Sequence, residues 1–272
     1  MRITLPKHRD SKESPVVDQN FVVVGANGSG KTRFASDLEK RYKSAAVRIA
    51  PTTYSKKFKS LVRDIITMEH TSDMPSVFSP MQKIWNKISP NRWLDLKKNA
   101  IILVDKFDKD HIYPINEMGE SERLLLFVIA AVISAQKNSL IIIDEPEMYI
   151  KKSSMIKLWN ALQQLRSDCR FIYLTHDMAF AASRHNFTKI WLRDFNGTTW
   201  DYEILDDEKN LPDQLYFELM AERKPVLFIE GDSINSIDYK LLQPVFSDLL
   251  LKPLGGCEKV LATTKSMNHQ EV

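Results

Sequence analysis

The strongest chemical signal in the sequence is a glycine-rich run, GANGSGKT, from Gly25 to Thr32. It matches the pattern G-x-x-x-x-G-K-[ST], follows an apolar stretch and opens a predicted helix, as expected of a phosphate-binding loop. Its glycines let backbone N–H groups converge on phosphate oxygens. Lys31 can then reach the β- and γ-phosphates, and the Thr32 hydroxyl can bind Mg²⁺. The alternative is a glycine-rich turn without a ligand. The predicted nucleotide-binding residues are Gly25, Ala26, Asn27, Gly28, Ser29, Gly30, Lys31, Thr32 and Arg33.

Two carboxylates follow the buried strand predicted from Leu140 to Ile143. Acids at the end of a strand beside a phosphate-binding loop are placed to handle the magnesium ion of a nucleotide. Asp144 would hold that ion through water, and Glu145 would act as the general base on the attacking water. Without the loop, the pattern would indicate only a strand that ends at the protein surface.

A third apolar run, Phe171 to Leu174, ends in Thr175, His176 and Asp177. A histidine at such a strand end can contact the γ-phosphate and respond to its presence. A lone histidine is more often structural, so this interpretation also depends on the neighbouring strand ends.

Alternating strands and helices must position these groups. Buried strands separated by helices predict an α/β fold with a largely parallel central sheet covered by helices on both faces. Strands are predicted near Ile3 and over 21–24, 45–50, 100–104, 111–115, 140–143, 171–174 and 226–229. Helices are predicted over 31–43, 56–68, 80–88, 120–136, 152–165 and 212–222.

Two local patterns add detail. Asn196-Gly197 is a strong hairpin signal between apolar segments at 189–193 and 199–204. The helix over 152–165 is amphipathic. Its apolar face is predicted to carry Ile156, Trp159, Leu162 and Leu165.

Composition narrows the class of protein. The 272 residues carry 38 basic and 35 acidic side chains, a net charge of +3, and this balance gives no argument for nucleic-acid binding. Cys169 and Cys257 are expected to be reduced thiols. No apolar run approaches the roughly 18 residues of a membrane span, and the N-terminus lacks the apolar segment of a signal peptide. A soluble, cytoplasmic protein without a membrane partner is expected.

The three strand ends together resemble the ABC ATPase superfamily, and GANGSGKT is similar to the loops of its soluble DNA-repair and SMC-like branch. The resemblance implies a P-loop NTPase of ABC type with ATP and Mg²⁺ as cofactors. It also implies a signature ahead of the Asp-Glu strand, where Gly119, Glu120 and Ser121 open a helix. These residues would meet the γ-phosphate bound by a second subunit, which implies a homodimer or higher homo-oligomer.

The chain departs from the family pattern in three places. Ser and Gly are exchanged in the signature, so an ordinary capped helix start stays the alternative. The strand ending at Ala50 is followed by no glutamine loop, and Gln82 is the nearest candidate. The segment between loop and signature has no heptad repeat, which excludes long coiled-coil arms.

The last residues resemble a different family. Residues 224–272 are similar to the start of a Toprim-like domain, in which Glu230 matches the first metal-binding acid. The expected D-x-D pair is missing before Val272, so we predict a fragment or a shortened version without phosphodiester cleavage. The predicted domains are therefore an ATPase domain over 1–223 and a partial Toprim-like α/β segment over 224–272.

This architecture resembles OLD-type nucleases and the ATPases of PARIS-like antiphage systems. The leading hypothesis is an ATP-driven motor or switch, with an effector protein, a nuclease or DNA as a further partner. The alternatives are a regulatory scaffold that binds ATP with little turnover, and the ATPase part of an ATP-gated nuclease. A transporter subunit is disfavoured, because no glutamine loop is evident.

Overall fold

A computed structural model describes residues 1–69, 76–89, 91–97, 100–205, 226–233, 235–246 and 249–268. The chain divides into two compact units, Met1–Lys209 and Asn210–Val272. The predicted domain boundary at residue 223 and the predicted helix over 212–222 both lie outside the described residues.

The first unit carries eleven described strands and six described α-helices. The strands are β1 (Ile3–Thr4), β2 (Val16–Val17), β3 (Phe21–Val24), β4 (Ala46–Ile49), β5 (Arg92–Lys97), β6 (Ala100–Asp105), β7 (Ile112–Pro114), β8 (Leu140–Asp144), β9 (Arg170–Thr175), β10 (Thr188–Phe195) and β11 (Trp200–Leu205). The helices are α1 (Lys31–Tyr42), α2 (Pro51–Glu69), α3 (Phe78–Ile88), α4 (Glu120–Ile133), α5 (Lys152–Leu165) and α6 (Met178–Ala182).

Six of these strands form the central sheet, in the order β11–β10–β3–β9–β8–β4. All neighbouring pairs are parallel except β10–β11, the hairpin predicted at Asn196-Gly197. The inner strands are buried on both faces, which explains their unbroken Val and Ile runs. The predicted α/β class with a mostly parallel central sheet is confirmed.

Helices cover both faces of the sheet. On one face, Phe34 and Leu38 of α1 pack in a core with alternate residues of β3, β8, β9 and β10. On the other face, Tyr173 of β9 meets Trp159 of α5 and Phe180 of α6, with ring centroids 5.3 and 5.1 Å apart.

The apolar face of α5 differs from the predicted one. Ile156 and Leu165 are each 43% exposed, while Trp159 and Leu162 are fully buried as predicted. The buried stripe continues through Met155, Leu158 and Ala161. The predicted face and the buried face share Trp159 and Leu162, and the buried face is displaced by one residue toward the N-terminus.

A separate antiparallel sheet, β5–β6–β7, precedes the helix with the predicted signature. Side chains of α3 satisfy the open edge of β5: Gln82 Nε2 donates to Leu94 O at 2.7 Å, and Trp85 Nε1 donates to Arg92 O at 2.9 Å. The amide of Gln82 therefore serves this sheet, and the suggestion that Gln82 forms a glutamine loop beside β4 is not supported.

The second unit contains β12 (Val226–Ile229), α7 (Ile237–Leu242), β13 (Leu250–Pro253) and α8 (Cys257–Asn268). Strands β12 and β13 are parallel, so β12, α7 and β13 form a β-α-β unit. Glu230 follows β12 directly and is exposed. Its predicted metal-binding role stays a prediction.

Within the described parts of both units, none of the helices combines the length and apolar character needed to cross a bilayer. The cysteines are free thiols, buried at Cys169 and exposed at Cys257.

Candidate functional site

The predicted chemical groups meet at one edge of the central sheet, because parallel strands present their carboxyl ends together. Val24, the last residue of β3, pairs in register with Thr175 of β9, and Asp144 of β8 pairs with Leu174. The pairing continues past the strand ends, since Gly25 N donates to Thr175 O at 3.4 Å and Glu145 N donates to Leu174 O at 2.9 Å. The loop, the two acids and the histidine are therefore adjacent.

The glycine-rich loop has a backbone that other residue types could not adopt without strain. A Cβ on Gly25 would lie 2.3 Å from Leu192 O and 2.7 Å from Ser29 Oγ. Gly30, the residue before α1, has a φ of 93°, and a Cβ there would lie 2.7 Å from the Phe195 side chain. The sequence thus needs glycine at both ends of the motif, for close approach and for a left-handed turn.

Lys31 is folded into the loop rather than extended to solvent. It is 6% exposed, and its Nζ donates to Gly25 O at 2.7 Å and to Ala26 O at 2.8 Å. The ammonium group therefore lies inside the ring of backbone that would surround a phosphate. Thr32 and Arg33, the next two residues of α1, are exposed at the same edge.

Asp144 has a partner that the sequence interpretation missed. Its Oδ2 accepts a hydrogen bond from Arg48 of β4 at 2.8 Å, and the two side chains are only 6% and 11% exposed. Arg48 also donates to Ser36 Oγ at 2.7 Å and lies 3.4 Å from Thr32 O. The sequence did hold a signal for this contact. An arginine inside an otherwise apolar strand predicts a buried acidic or polar partner, because a buried charge needs one.

The hydroxyl of Thr32 and the carboxylate of Asp144 are hard oxygen donors, the type that Mg²⁺ prefers. Both belong to the edge where β3 leads into α1 and β8 ends. The Arg48 guanidinium contacts Thr32 O and Asp144 Oδ2 and so supplies positive charge between the two elements. The residues present fit a magnesium-bound nucleotide.

Glu145 and His176 form a close pair. His176 Nδ1 lies 2.7 Å from Glu145 Oε2 and 3.2 Å from Oε1 of Glu147. Glu145 has a left-handed backbone, with φ of 54° and ψ of 63°, an uncommon conformation that is found at functional sites.

Glu147 is the third member of this cluster. Thr175 Oγ1 donates to its carboxyl group, at 2.8 Å from Oε1 and 2.9 Å from Oε2. Burial, followed by the neighbouring Glu145, raises the pKa of Glu147 to about 7. One ligand atom from each of Glu145, Glu147 and His176 lies within 4.8 Å of the others, a spacing that could also hold a cation. A proton shared by the two carboxyl groups accounts for the same spacing.

The predicted hairpin of β10 and β11 lies against the phosphate-binding loop, a contact that the sequence analysis did not predict. The Phe195 ring lies under the Arg33 guanidinium, 5.3 Å from centroid to Cζ. The same ring packs against Trp200, with centroids 4.4 Å apart and planes tilted by 36°. This contact gives Arg33 a fixed neighbour beside Gly30.

The predicted signature residues open α4 and face solvent. Gly119, Glu120 and Ser121 are exposed. The Glu122 carboxylate accepts from Gly119 N at 3.0 Å and from Arg92 Nη1 at 2.8 Å. The helix start is thus capped, as the alternative predicted, and is also available to a second subunit.

Solved structures share this architecture. The head domain of an SMC protein, solved with the C-winged helix domain of ScpA, superposes with a TM-score of 0.53 at 12% identity, and the match covers 77% of this chain and 98% of that chain. The chain has the ABC-type ATPase fold.

Two further structures give weaker superpositions. The SMC head domain from Thermotoga maritima has a TM-score of 0.49 at 10% identity and covers 75% of this chain and 98% of that chain. A dimeric bacterial ABC transporter cassette has a TM-score of 0.46 at 11% identity and covers 76% and 99%. No protein-family model matches the chain, and no curated protein matches it. The ABC-type fold therefore rests on structure, and the roles of individual residues remain predictions.

Proposed function

We propose that the protein binds and hydrolyses ATP as an ABC-type ATPase that dimerises around the nucleotide. The single observation that carries this proposal is that the loop holding Lys31, the acids Asp144 and Glu145, and His176 follow the carboxyl ends of three neighbouring strands, β3, β8 and β9. Each group is of the chemical type that phosphoryl transfer to water requires, and this supports the proposal.

The contacts support a role for each group. Lys31 would exchange its two carbonyl partners in the loop for phosphate oxygens, which are stronger acceptors because they are charged. Glu145 would take the proton of the attacking water. His176 holds Glu145 through Nδ1, which leaves Nε2 to face the γ-phosphate. Thr32 and Asp144 would hold Mg²⁺, which supplies positive charge to the β- and γ-phosphates.

A second copy of the chain would complete the site. Gly119, Glu120 and Ser121 are exposed at the start of α4, with a backbone N–H and a hydroxyl available to a phosphate. This exposure supports a homodimer with two composite sites. We further propose a cytoplasmic protein of an antiphage defence system of the OLD-like or PARIS-like kind, acting with an effector protein, a nuclease or DNA.

The experiment is nucleotide binding and phosphate release by the full chain and by Lys31→Ala. Loss of the ammonium should abolish ATP binding and hydrolysis. Lys40→Ala, which removes an exposed lysine from the same helix, should leave both unchanged. Undiminished binding by Lys31→Ala would remove the phosphate-binding assignment. Repeating the assay with duplex DNA tests whether DNA changes the turnover rate.

A regulatory scaffold is the second candidate. The exchanged signature favours it, and so does the start of α2, where Thr53 rather than a glutamine follows β4 and bonds back to Ala50. A scaffold would bind ATP tightly but release phosphate no faster than Glu145→Gln. The ATP-gated nuclease alternative needs metal-binding acids besides Glu230, and the described residues of the second unit contain no D-x-D pair.

A further inference from the structure

Glu147 connects the two groups that would act on the attacking water. Its Oε1 lies 3.2 Å from His176 Nδ1, and the same nitrogen lies 2.7 Å from Glu145 Oε2. A single imidazole nitrogen is thus held between two carboxyl groups. The three-residue turn Pro146–Met148 carries Glu147 back toward the end of β9.

Hydrogen bonds at the end of β9 hold the Glu147 carboxyl group in place. Thr175 is fully buried and donates its hydroxyl hydrogen to the Glu147 carboxyl group. Its Oγ1 in turn accepts a hydrogen bond from Asp177 N at 2.8 Å. The Glu147 side chain itself is 11% exposed. The carboxyl group is therefore fixed by backbone and side-chain contacts at the ends of two neighbouring strands.

We propose that Glu147 is a positioning residue for ATP hydrolysis: it fixes the His176 ring through Nδ1, leaves Nε2 for the γ-phosphate, and keeps the Glu145 carboxyl group beside the ring. The inference rests on the function proposed above. It assigns Glu147 no contact with substrate. Its effect is on geometry, and a displacement of about 1 Å at a reacting group can lower a rate about a hundredfold.

The contacts of Glu147 with Thr175 and His176 require hydrogen bonds rather than a negative charge on Glu147. Because the pKa of Glu147 is raised to about 7, its neutral form is present at neutral pH. That form can accept from Thr175 and His176 on one oxygen and donate its O–H toward Glu145. Glutamine has the same shape as neutral glutamic acid and the same pattern of donor and acceptor. Alanine removes the contacts with Thr175 and His176.

The test compares steady-state hydrolysis by the full-length wild type, Glu147→Ala and Glu147→Gln over a range of ATP concentrations. We expect Glu147→Ala to lower kcat by about 10- to 100-fold with KM unchanged, and Glu147→Gln to retain the wild-type kcat. Glu203→Ala is the matched control, since it removes an exposed carboxylate that pairs with Arg193, and it should leave kcat and KM unchanged.

A second pair of variants tests the hydrogen bond between Thr175 and Glu147 by changing Thr175. Thr175→Val should lower kcat in the same direction, and Thr175→Ser, which keeps the hydroxyl, should preserve it. This pair decides the question if Glu147→Ala does not fold. Wild-type kcat in Glu147→Ala or in Thr175→Val, or a change confined to KM, would overturn the inference.

The failure of this inference is distinguishable from the failure of the proposed function. If the wild type turns over ATP and Glu145→Gln does not, a normal kcat in Glu147→Ala removes only the role of Glu147. If the wild type releases no more phosphate than Glu145→Gln, the proposed function fails and the inference fails with it.

Discussion

Arg48 and Asp144 form an ion pair at 2.8 Å that joins β4 to the end of β8, between side chains that are 11% and 6% exposed. The guanidinium also reaches α1 through Ser36 Oγ. Without nucleotide, this arginine is the positive charge that compensates the carboxylate predicted to hold Mg²⁺. We therefore expect the stability of this sheet edge to be coupled to the binding of Mg²⁺ near Asp144.

Replacing Arg48 should expose that coupling. Arg48→Met leaves Asp144 buried without a cation, which should destabilise the folded protein by about 3 kcal/mol. Magnesium with ATP should then raise the melting temperature of Arg48→Met more than that of the wild type, since the ion replaces the lost charge. Thermal unfolding with and without Mg²⁺ and ATP measures both effects.

The control for this prediction is an exposed ion pair. Arg9 contacts Asp194 and Asp201 with a side chain that is 38% exposed, so Arg9→Met should cost about 1 kcal/mol or less. Equal melting temperatures for Arg48→Met and the wild type would show that the pair contributes nothing to stability.

The raised pKa of Glu147 predicts a pH-dependent stability with a definite sign. Its pKa rises from an ordinary 4.5 to about 7 in the folded protein. Proton binding by the folded state therefore stabilises it fully below the unfolded pKa, and this contribution is lost as the pH rises through about 7. Glu147→Gln removes the titration, so its melting temperature relative to wild type should increase between about pH 5 and pH 8.

The size of that effect follows from the shift. A rise in the pKa of Glu147 from 4.5 to about 7 corresponds to about 1–3 kcal/mol in unfolding free energy, after allowance for a proton shared with Glu145. Glu203→Gln, which changes an exposed carboxylate, should show no such trend. A constant difference between Glu147→Gln and wild type across this pH range would contradict the assignment.

The signature prediction can be tested by complementation. Ser121→Arg places a large cation at the exposed start of α4 and should block the contact between subunits while the phosphate-binding loop of the same chain stays intact. We expect normal ATP affinity and phosphate release lowered at least about tenfold, as for other losses of a transition-state contact.

Mixing Ser121→Arg with Lys31→Ala should raise turnover above that of either variant alone. In the mixed dimer, one composite site combines the intact loop of the first chain with the intact signature of the second. If the mixture releases phosphate only at the sum of the two separate rates, there is no composite site. The start of α4 would then be an ordinary capped helix start.

The sequence predicted the elements whose signals are local. The buried runs of β3, β8 and β9 could be predicted from their apolar character, and the phosphate-binding loop could be predicted from the spacing of its glycines, lysine and threonine within eight residues. Because parallel strands end at the same edge, the adjacency of Lys31, Asp144 and His176 followed from the fold class.

What the sequence did not predict depends on contacts between distant residues. Strand β5 was missed because only Leu94 of its six residues is buried, so its sequence has no run of apolar residues. Its partners, β6 and side chains of α3, are contacts that only the fold reveals. Arg48 lies 96 positions from its partner Asp144. The buried face of α5 depended on packing against Tyr173, which selected between two stripes of similar apolar content.

The most direct measurement is the mass in solution of the Glu145→Gln variant, with and without ATP and Mg²⁺, beside its rate of phosphate release. We expect release about two to four orders of magnitude slower than wild type, and a mass that doubles from one chain to two only when ATP and Mg²⁺ are present. A single-chain mass with ATP bound, or phosphate release at the wild-type rate, would contradict it.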